Sequence, residues 1–126
     1  VVCVPGVATD AVRALQEQAV QLGVQYRLHC LDPVKPDEVV AFLRTADVGL
    51  IPILRYPSHE MALPNKLFEY AFAGLPVVVS DMPSMKEFVD HTRIGEVFVA
   101  EDAHDLAFLG RRRSGAGVNY YSSHAP

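Results

Sequence analysis

The sequence predicts an α/β fold, a Rossmann-like parallel sheet with helices on both faces. Three observations predict it. Short apolar, strand-like runs alternate with helical patterns along most of the chain. The runs at 48–54 and 76–80 are apolar at successive positions instead of alternating, as in strands covered on both sides. The chain of 126 residues fits one domain and is long enough to bury a core without metal or disulfide support.

Each element follows from local signals. Residues 1–4, VVCV, read as a buried strand ended by Pro5-Gly6. Thr9 or Asp10 can cap the next helix, whose apolar positions Val12, Leu15, Ala19 and Leu22 step by three or four and which Gly23 stops. A second strand covers 26–31. Pro36, Asp37 and Glu38 have the chemistry of a first helical turn, followed by the stripe Val39, Leu43, Ala46. The third strand spans 48–54, followed by a polar loop over 55–63. Pro64 can open a helix that runs to Ala73, with Gly74 as its stop. A fourth strand spans 76–80. Ser84 and Glu87 have capping-box spacing for a helix to about His91. Gly95 leads into a fifth strand over 97–100, and a last helix can start at Asp105. Ligands of such sheets bind at the carboxyl ends of strands, so the loops at 5–10, 31–35, 55–63 and 81–84 are the informative ones.

Residues 110–126 break the pattern. Three arginines, Arg111 to Arg113, precede SGAGVNYYSSHAP, which has no periodicity. The expected division is a Rossmann-like domain over 1–109, incomplete at its N-terminus, and an irregular tail over 110–126, disordered or out of frame. The chain opens directly in a strand and without Met, so a preceding segment is expected.

Composition narrows the function classes. The net charge is -4, which argues against broad attraction to nucleic acid or anionic lipid. An anionic ligand would have to be held by local groups. No apolar run approaches the ~20 residues of a membrane span. Cys3 and Cys30 lie in apolar strand-like runs without metal-ligand or disulfide-framework spacing, so buried free thiols and a reducing, cytoplasmic setting are expected. Five histidines show no paired metal-ligand spacing and read as structural or solvated, with His59 the one in the loop over the presumed pocket.

The segment 63–80, LPNKLFEYAFAGLPVVVS, carries the chemistry. Lys66 in a first helical turn is opposed by the helix dipole, by a few tenths of a kcal/mol up to ~1. That placement is reasonable when an anion sits nearby. Backbone N–H groups of a helix start, with a lysine point charge added, suit a phosphate or diphosphate. Glu69 lies three residues beyond Lys66 and four beyond Asn65, so all three can share a face. The helix is otherwise apolar, and a carboxylate there needs a partner; its two acceptor oxygens match a ribose diol. The same residues also fit a plain i, i+3 ion pair contributing about 0.2–0.5 kcal/mol. The residues alone leave both readings open.

The run LPNKLFEYAFAGLPVVVSDMPSMKEFV resembles the donor-binding segment of GT-B fold glycosyltransferases of the retaining family 4 type. VVCVPG, YRLHCLDPVKPDEVVAFLRTADVGLIP and IGEVFVAEDAHDLA are similar to flanking segments of that family, so the likeness covers roughly residues 1–107. It implies the C-terminal half of a GT-B fold and transfer of a sugar from a nucleotide-diphosphate sugar to an unknown acceptor. By position, Glu69 would bind the donor ribose, and Asn65, Lys66 and Leu67 would hold the diphosphate, partly through backbone N–H groups. Lys66 would carry the catalytic role, stabilising the departing diphosphate without a metal. Asp32, Pro33 and Val34 would flank the nucleobase. Glu87 matches a later family Glu, although its capping-box spacing suffices to explain it.

Two departures stand out. The family often has a second Glu eight residues before the ribose Glu, contacting the sugar; here that position is Met61, with Glu60 beside it. An Arg and a Lys that the family carries before its equivalent of the first strand are not in this chain, nor is the N-terminal GT-B domain where acceptors bind. The chain by itself is therefore expected to be inactive and to need that domain as partner, with no separate cofactor. The rival readings are a nucleotide-sugar 2-epimerase of the same fold and a non-catalytic Rossmann-like binding module.

Overall fold

The computed structural model describes residues 2–6, 9–61, 63–114 and 120–122. The strands are β1 (Val2–Pro5), β2 (Leu28–Leu31), β3 (Val48–Ile51), β4 (Val77–Ser80), β5 (Gly95–Phe98) and β6 (Tyr120–Ser122). The helices are α1 (Asp10–Gln21), α2 (Val39–Leu43), α3 (Pro57–Glu60), α4 (Asn65–Phe72), α5 (Pro83–Thr92) and α6 (Ala103–Ser114). All strands lie in one parallel sheet in the order β2-β1-β6-β3-β4-β5. This is the α/β, Rossmann-like architecture that the alternating pattern predicts.

Local signals set most boundaries. Thr9 caps α1, its hydroxyl oxygen accepting from the Val12 N–H at 3.3 Å. α1 closes on Gly23 at φ 71°, with Gly23 N–H to Val20 O at 3.0 Å and Val24 N–H to Ala19 O at 2.9 Å. Those two bonds satisfy carbonyls the helix end would leave open, and only glycine takes that φ without strain. The capping box expected at Ser84 and Glu87 does not form. α5 starts earlier, with Met82 as cap and Pro83 in its first position. Proline's fixed φ and missing N–H suit that position, and Ser84 then falls inside the helix.

The core divides by strand face. Ile51, Val77 and Val79 point to one side, where Leu43 of α2, Leu67 and Tyr70 of α4, and Met85 and Val89 of α5 cover them. Val48, Leu50, Val78 and Phe98 point to the other, under Leu106 and Leu109 of α6. β3 and β4 are buried at every position. β2 is an edge strand and leaves Cys30 exposed and Cys3 of β1 half-buried, so the thiols are not the buried pair their apolar runs predict.

The end of the chain differs most from expectation. α6 continues to Ser114, and Tyr120–Ser122 inserts between β1 and β3, parallel to both. Residues 115–119 and 123–126, with His124, lie outside the described residues, as does Val1 of the first expected strand. Facing backbone donors and acceptors of two strands set apart by one strand width need a strand between them. Counting β6 as the first strand turns the order into 3-2-1-4-5-6, that of a doubly wound dinucleotide fold. Here that central place is taken from the far end of the chain.

Candidate functional site at the start of α4

The switch point of the sheet lies between β1, whose chain leaves towards β2, and β3, whose chain leaves towards β4. Crevices for ligands open at the carboxyl ends of strands there. The loop leaving β3 passes through α3 and ends at Pro64, the cap of α4, with extended φ −61° and ψ 143°. α4 ends in a double closure at Gly74, φ 73°, with Gly74 N–H to Ala71 O at 3.1 Å and Leu75 N–H to Tyr70 O at 2.9 Å. Both ends of this eight-residue helix are thus fixed by the residues the sequence offers there.

Tertiary packing then sets its rotation. Leu67 and Tyr70 are fully buried, and the Tyr70 hydroxyl donates to Leu50 O at 3.2 Å. The Tyr70 ring lies over Gly49 of β3 so closely that a Cβ there would stand 2.6 Å from Cδ2. Phe68 meets Phe88 of α5 edge to face at a centroid distance of 5.5 Å. With those directions taken, Lys66 and Glu69 share a remaining flank of the helix.

Lys66 Nζ stands 3.0 Å from Glu69 Oε2, with the two side chains 22% and 38% exposed. Oε2 is withdrawn from solvent and receives no hydrogen bond. The two observations are compatible: the ammonium is close enough for charge pairing but not aligned for a hydrogen bond, and the contact is best taken as a charge pair. The alternative that the sequence left open, an i, i+3 pair, is therefore formed. The other carboxylate oxygen belongs to a side chain that remains part-exposed. Asn65 is exposed at the head of the helix. Leu67 serves as a core anchor, and its N–H already donates to Pro64 O at 3.0 Å. The Leu67 N–H, one of the expected diphosphate donors, is thus committed within the helix start.

Asp32, Pro33 and Val34 follow β2 at the carboxyl edge, with Asp32 and Pro33 exposed and Val34 half-buried. β1 and β6 separate that strand from β3. Three ladder spacings put about 14 Å between the carboxyl ends of β2 and β3. The structure therefore brings Asn65, Lys66 and Glu69 together on one helix start and keeps the 32–34 loop about three strand spacings away.

A further group was not assigned from sequence. Arg55, just past β3, donates from Nη2 to Asp81 Oδ1 at 2.6 Å and lies 3.4 Å from Asp81 O. Asp81, just past β4, also accepts the Ala100 N–H beyond β5 at 2.9 Å. One carboxylate therefore ties together the ends of three neighbouring strands, including the loop that delivers α4. The signal was present, as opposite charges directly following two adjacent apolar strands.

Met61, where the resemblance implies a sugar-contacting Glu, is exposed, and its sulfur lies 4.0 Å from Ser84 Oγ. Glu60 is half-buried at the end of α3, and the His59 side chain lies outside the described residues. Glu87, freed of its expected capping role, is exposed. It lines a groove of about 350 Å³ with Leu63, Ser84, Phe88 and His91. Among the described residues no three His, Cys, Asp or Glu are grouped to hold a metal, and no helix is long and apolar enough to cross a membrane.

The sequence pattern of the family described as Glycosyl transferases group 1 matches residues 2–109. The chain belongs to the group 1 glycosyltransferases. Two curated members or relatives illustrate the likeness. A Bacillus subtilis protein named as the teichuronic acid biosynthesis glycosyltransferase TuaH is 38% identical over 52 residues, which is 41% of this chain and 13% of that protein. A D-inositol 3-phosphate glycosyltransferase of Corynebacterium efficiens is 35% identical over 89 residues, 71% of this chain and 19% of that protein. The chain thus matches less than a fifth of either relative's length. The group 1 match spans β1 to α6 and includes the whole of α4, so the Lys66–Glu69 pair lies inside the family's sequence pattern.

Proposed function

We propose that this group 1 glycosyltransferase chain is the donor-binding part of an enzyme that transfers a sugar from a nucleotide-diphosphate sugar, in the manner of retaining family 4 enzymes. The observation that carries the reading is the position of Lys66 and Glu69. Both sit on one flank of a helix that starts beyond the carboxyl end of β3, beside the switch point of a parallel sheet. In this reading Glu69 accepts the ribose hydroxyls. Asn65 and Lys66 take the diphosphate, with Leu67 anchoring the turn that presents them. The loop at Asp32, Pro33 and Val34 flanks the base from across the crevice.

The chemistry asked of the site is leaving-group stabilisation. Glycosyl transfer leaves negative charge on the departing diphosphate, and a fixed ammonium with backbone dipoles offsets it without reorganising water. Acceptor binding belongs to an N-terminal GT-B domain, and the chain is the donor half of that partnership. Two free thiols are in keeping with a reducing, cytoplasmic setting.

A thermal-shift series with UDP, GDP and ADP tests the reading on the chain itself. A nucleoside diphosphate at 100 times its Kd adds about 2.7 kcal/mol of stability. Glu69→Ala should reduce that shift. An unshifted melting temperature with all three nucleotides at millimolar concentration would remove the donor-site assignment.

A further inference from the structure

We infer that Lys66 and Glu69 act as an exchange pair. The arriving diphosphate draws Lys66 off Glu69, and only then can both carboxylate oxygens receive the ribose diol. The inference rests on the donor-binding reading and adds an order of events to it.

Two observations carry it. Glu69 Oε2 is hidden from solvent and receives no hydrogen bond, while Lys66 Nζ stands over it at 3.0 Å. A diol presents two O–H donors and is matched to two acceptor oxygens. In this structure one of the two is blocked by an ammonium. Oε2 is held by charge pairing without a hydrogen bond, so once the ammonium has moved to the diphosphate a ribose hydroxyl can supply the bond that the oxygen lacks.

Lysine is suited to the exchange because its charge is a point on a flexible four-carbon stem. Lys66 lies in the first turn of α4, where an anion is favoured and a cation is not. A diphosphate placed there offers the ammonium a stronger partner than Glu69. A nucleoside without phosphate brings no such partner and meets a half-closed carboxylate. Lys66 therefore opposes ribose recognition in the absence of diphosphate and supports it in its presence. The site discriminates against nucleosides through one side chain, with no steric gate.

The test uses the base that gives the largest thermal shift with the wild-type chain. The nucleoside, the nucleoside diphosphate and inorganic pyrophosphate are each titrated by calorimetry or NMR against wild type, Lys66→Met and Glu69→Gln. Lys66→Met should raise nucleoside affinity by roughly two- to fivefold, the range released by opening a partly exposed ion pair. It should lower nucleoside diphosphate affinity by about tenfold, as for the loss of one charge-assisted bond. Glu69→Gln should strengthen pyrophosphate binding, because it removes the negative charge that competes with the phosphate for Lys66. Lys66→Met that leaves nucleoside affinity unchanged or lowers it overturns the exchange, as does Glu69→Gln that weakens pyrophosphate. A wild-type chain that binds none of UDP, GDP and ADP removes the donor reading as well, so the two failures are distinguishable.

Discussion

Gly49→Ala is a direct test of how α4 is held over the sheet. An added Cβ would stand 2.6, 2.7 and 2.8 Å from Cδ2, Cγ and Cε2 of Tyr70. The ring has no easy retreat. It is fully buried, flanked by Leu67 and Leu75 in the same cluster, and tethered by its hydroxyl to Leu50 O at 3.2 Å. In an unobstructed strand, alanine would be favoured over glycine by about 0.5–1 kcal/mol through backbone entropy. Overpacking of this kind costs about 1–3 kcal/mol, and with three ring atoms met within 2.8 Å the upper part of that range applies, which leaves about 1–2.5 kcal/mol of net loss after the entropy gain. For a domain of this size that lowers the melting temperature by roughly 3–12 °C. Calorimetry of Gly49→Ala, Tyr70→Leu and the double variant separates the clash from general core damage. With a smaller side chain at 70 the new methyl has room, so the double variant should lose less than the sum of the single losses. A Gly49→Ala melting temperature within about 1 °C of wild type, or strict additivity, would refute the placement of Tyr70. Because Glu69 adjoins Tyr70 in the chain, the same variant should also weaken nucleotide binding.

Other expectations follow from the same coordinates. Gly95→Ala would bring a Cβ to 1.9 Å from Val77 O, a backbone atom of the neighbouring strand. It should cost more than Gly49→Ala and reduce soluble yield, and a yield and melt equal to wild type would count against the β4–β5 register. Asp81→Ala removes the acceptor of Arg55 Nη2 and of the Ala100 N–H. It should cost about 1–3 kcal/mol and speed hydrogen exchange in residues 52–64, whereas unchanged protection there would show that the clasp does not hold that loop. Thr9→Ala removes the cap of α1 and should cost about 0.5–2 kcal/mol in chemical denaturation; no change would mean that α1 does not unfold with the sheet.

Much of α4 was legible from residues alone. Pro64 and Gly74 bracket it, and the spacing of Lys66 and Glu69 puts them within reach of each other in any α-helix. The boundaries that failed did so where two local signals competed. At α5 a Ser-x-x-Glu spacing promised a start, and Pro83 took it instead because its fixed φ favours the first helical position. The fifth strand came earlier than its apolar run, at Gly95–Phe98, because Gly95 allows the close approach to Val77 that pairing requires. Apolar runs at Cys3 and Cys30 promised burial, but β2 has a neighbour on only one side.

By itself the sequence determined the fold class, the order of the first five strands with most of the helices between them, and the family, but not α3 within the expected 55–63 loop or β6 within the expected irregular tail. Each of these depends on spacings of a few residues that backbone geometry converts directly into faces and ends. Only the tertiary structure decided that Asp81 gathers the ends of three strands, that Tyr70 lies on Gly49, and that Tyr120–Ser122 fills the centre of the sheet. The physical reason is that these contacts join residues through space. Which strands become neighbours is settled by how loops close and how apolar faces are shared, and no local pattern carries that information.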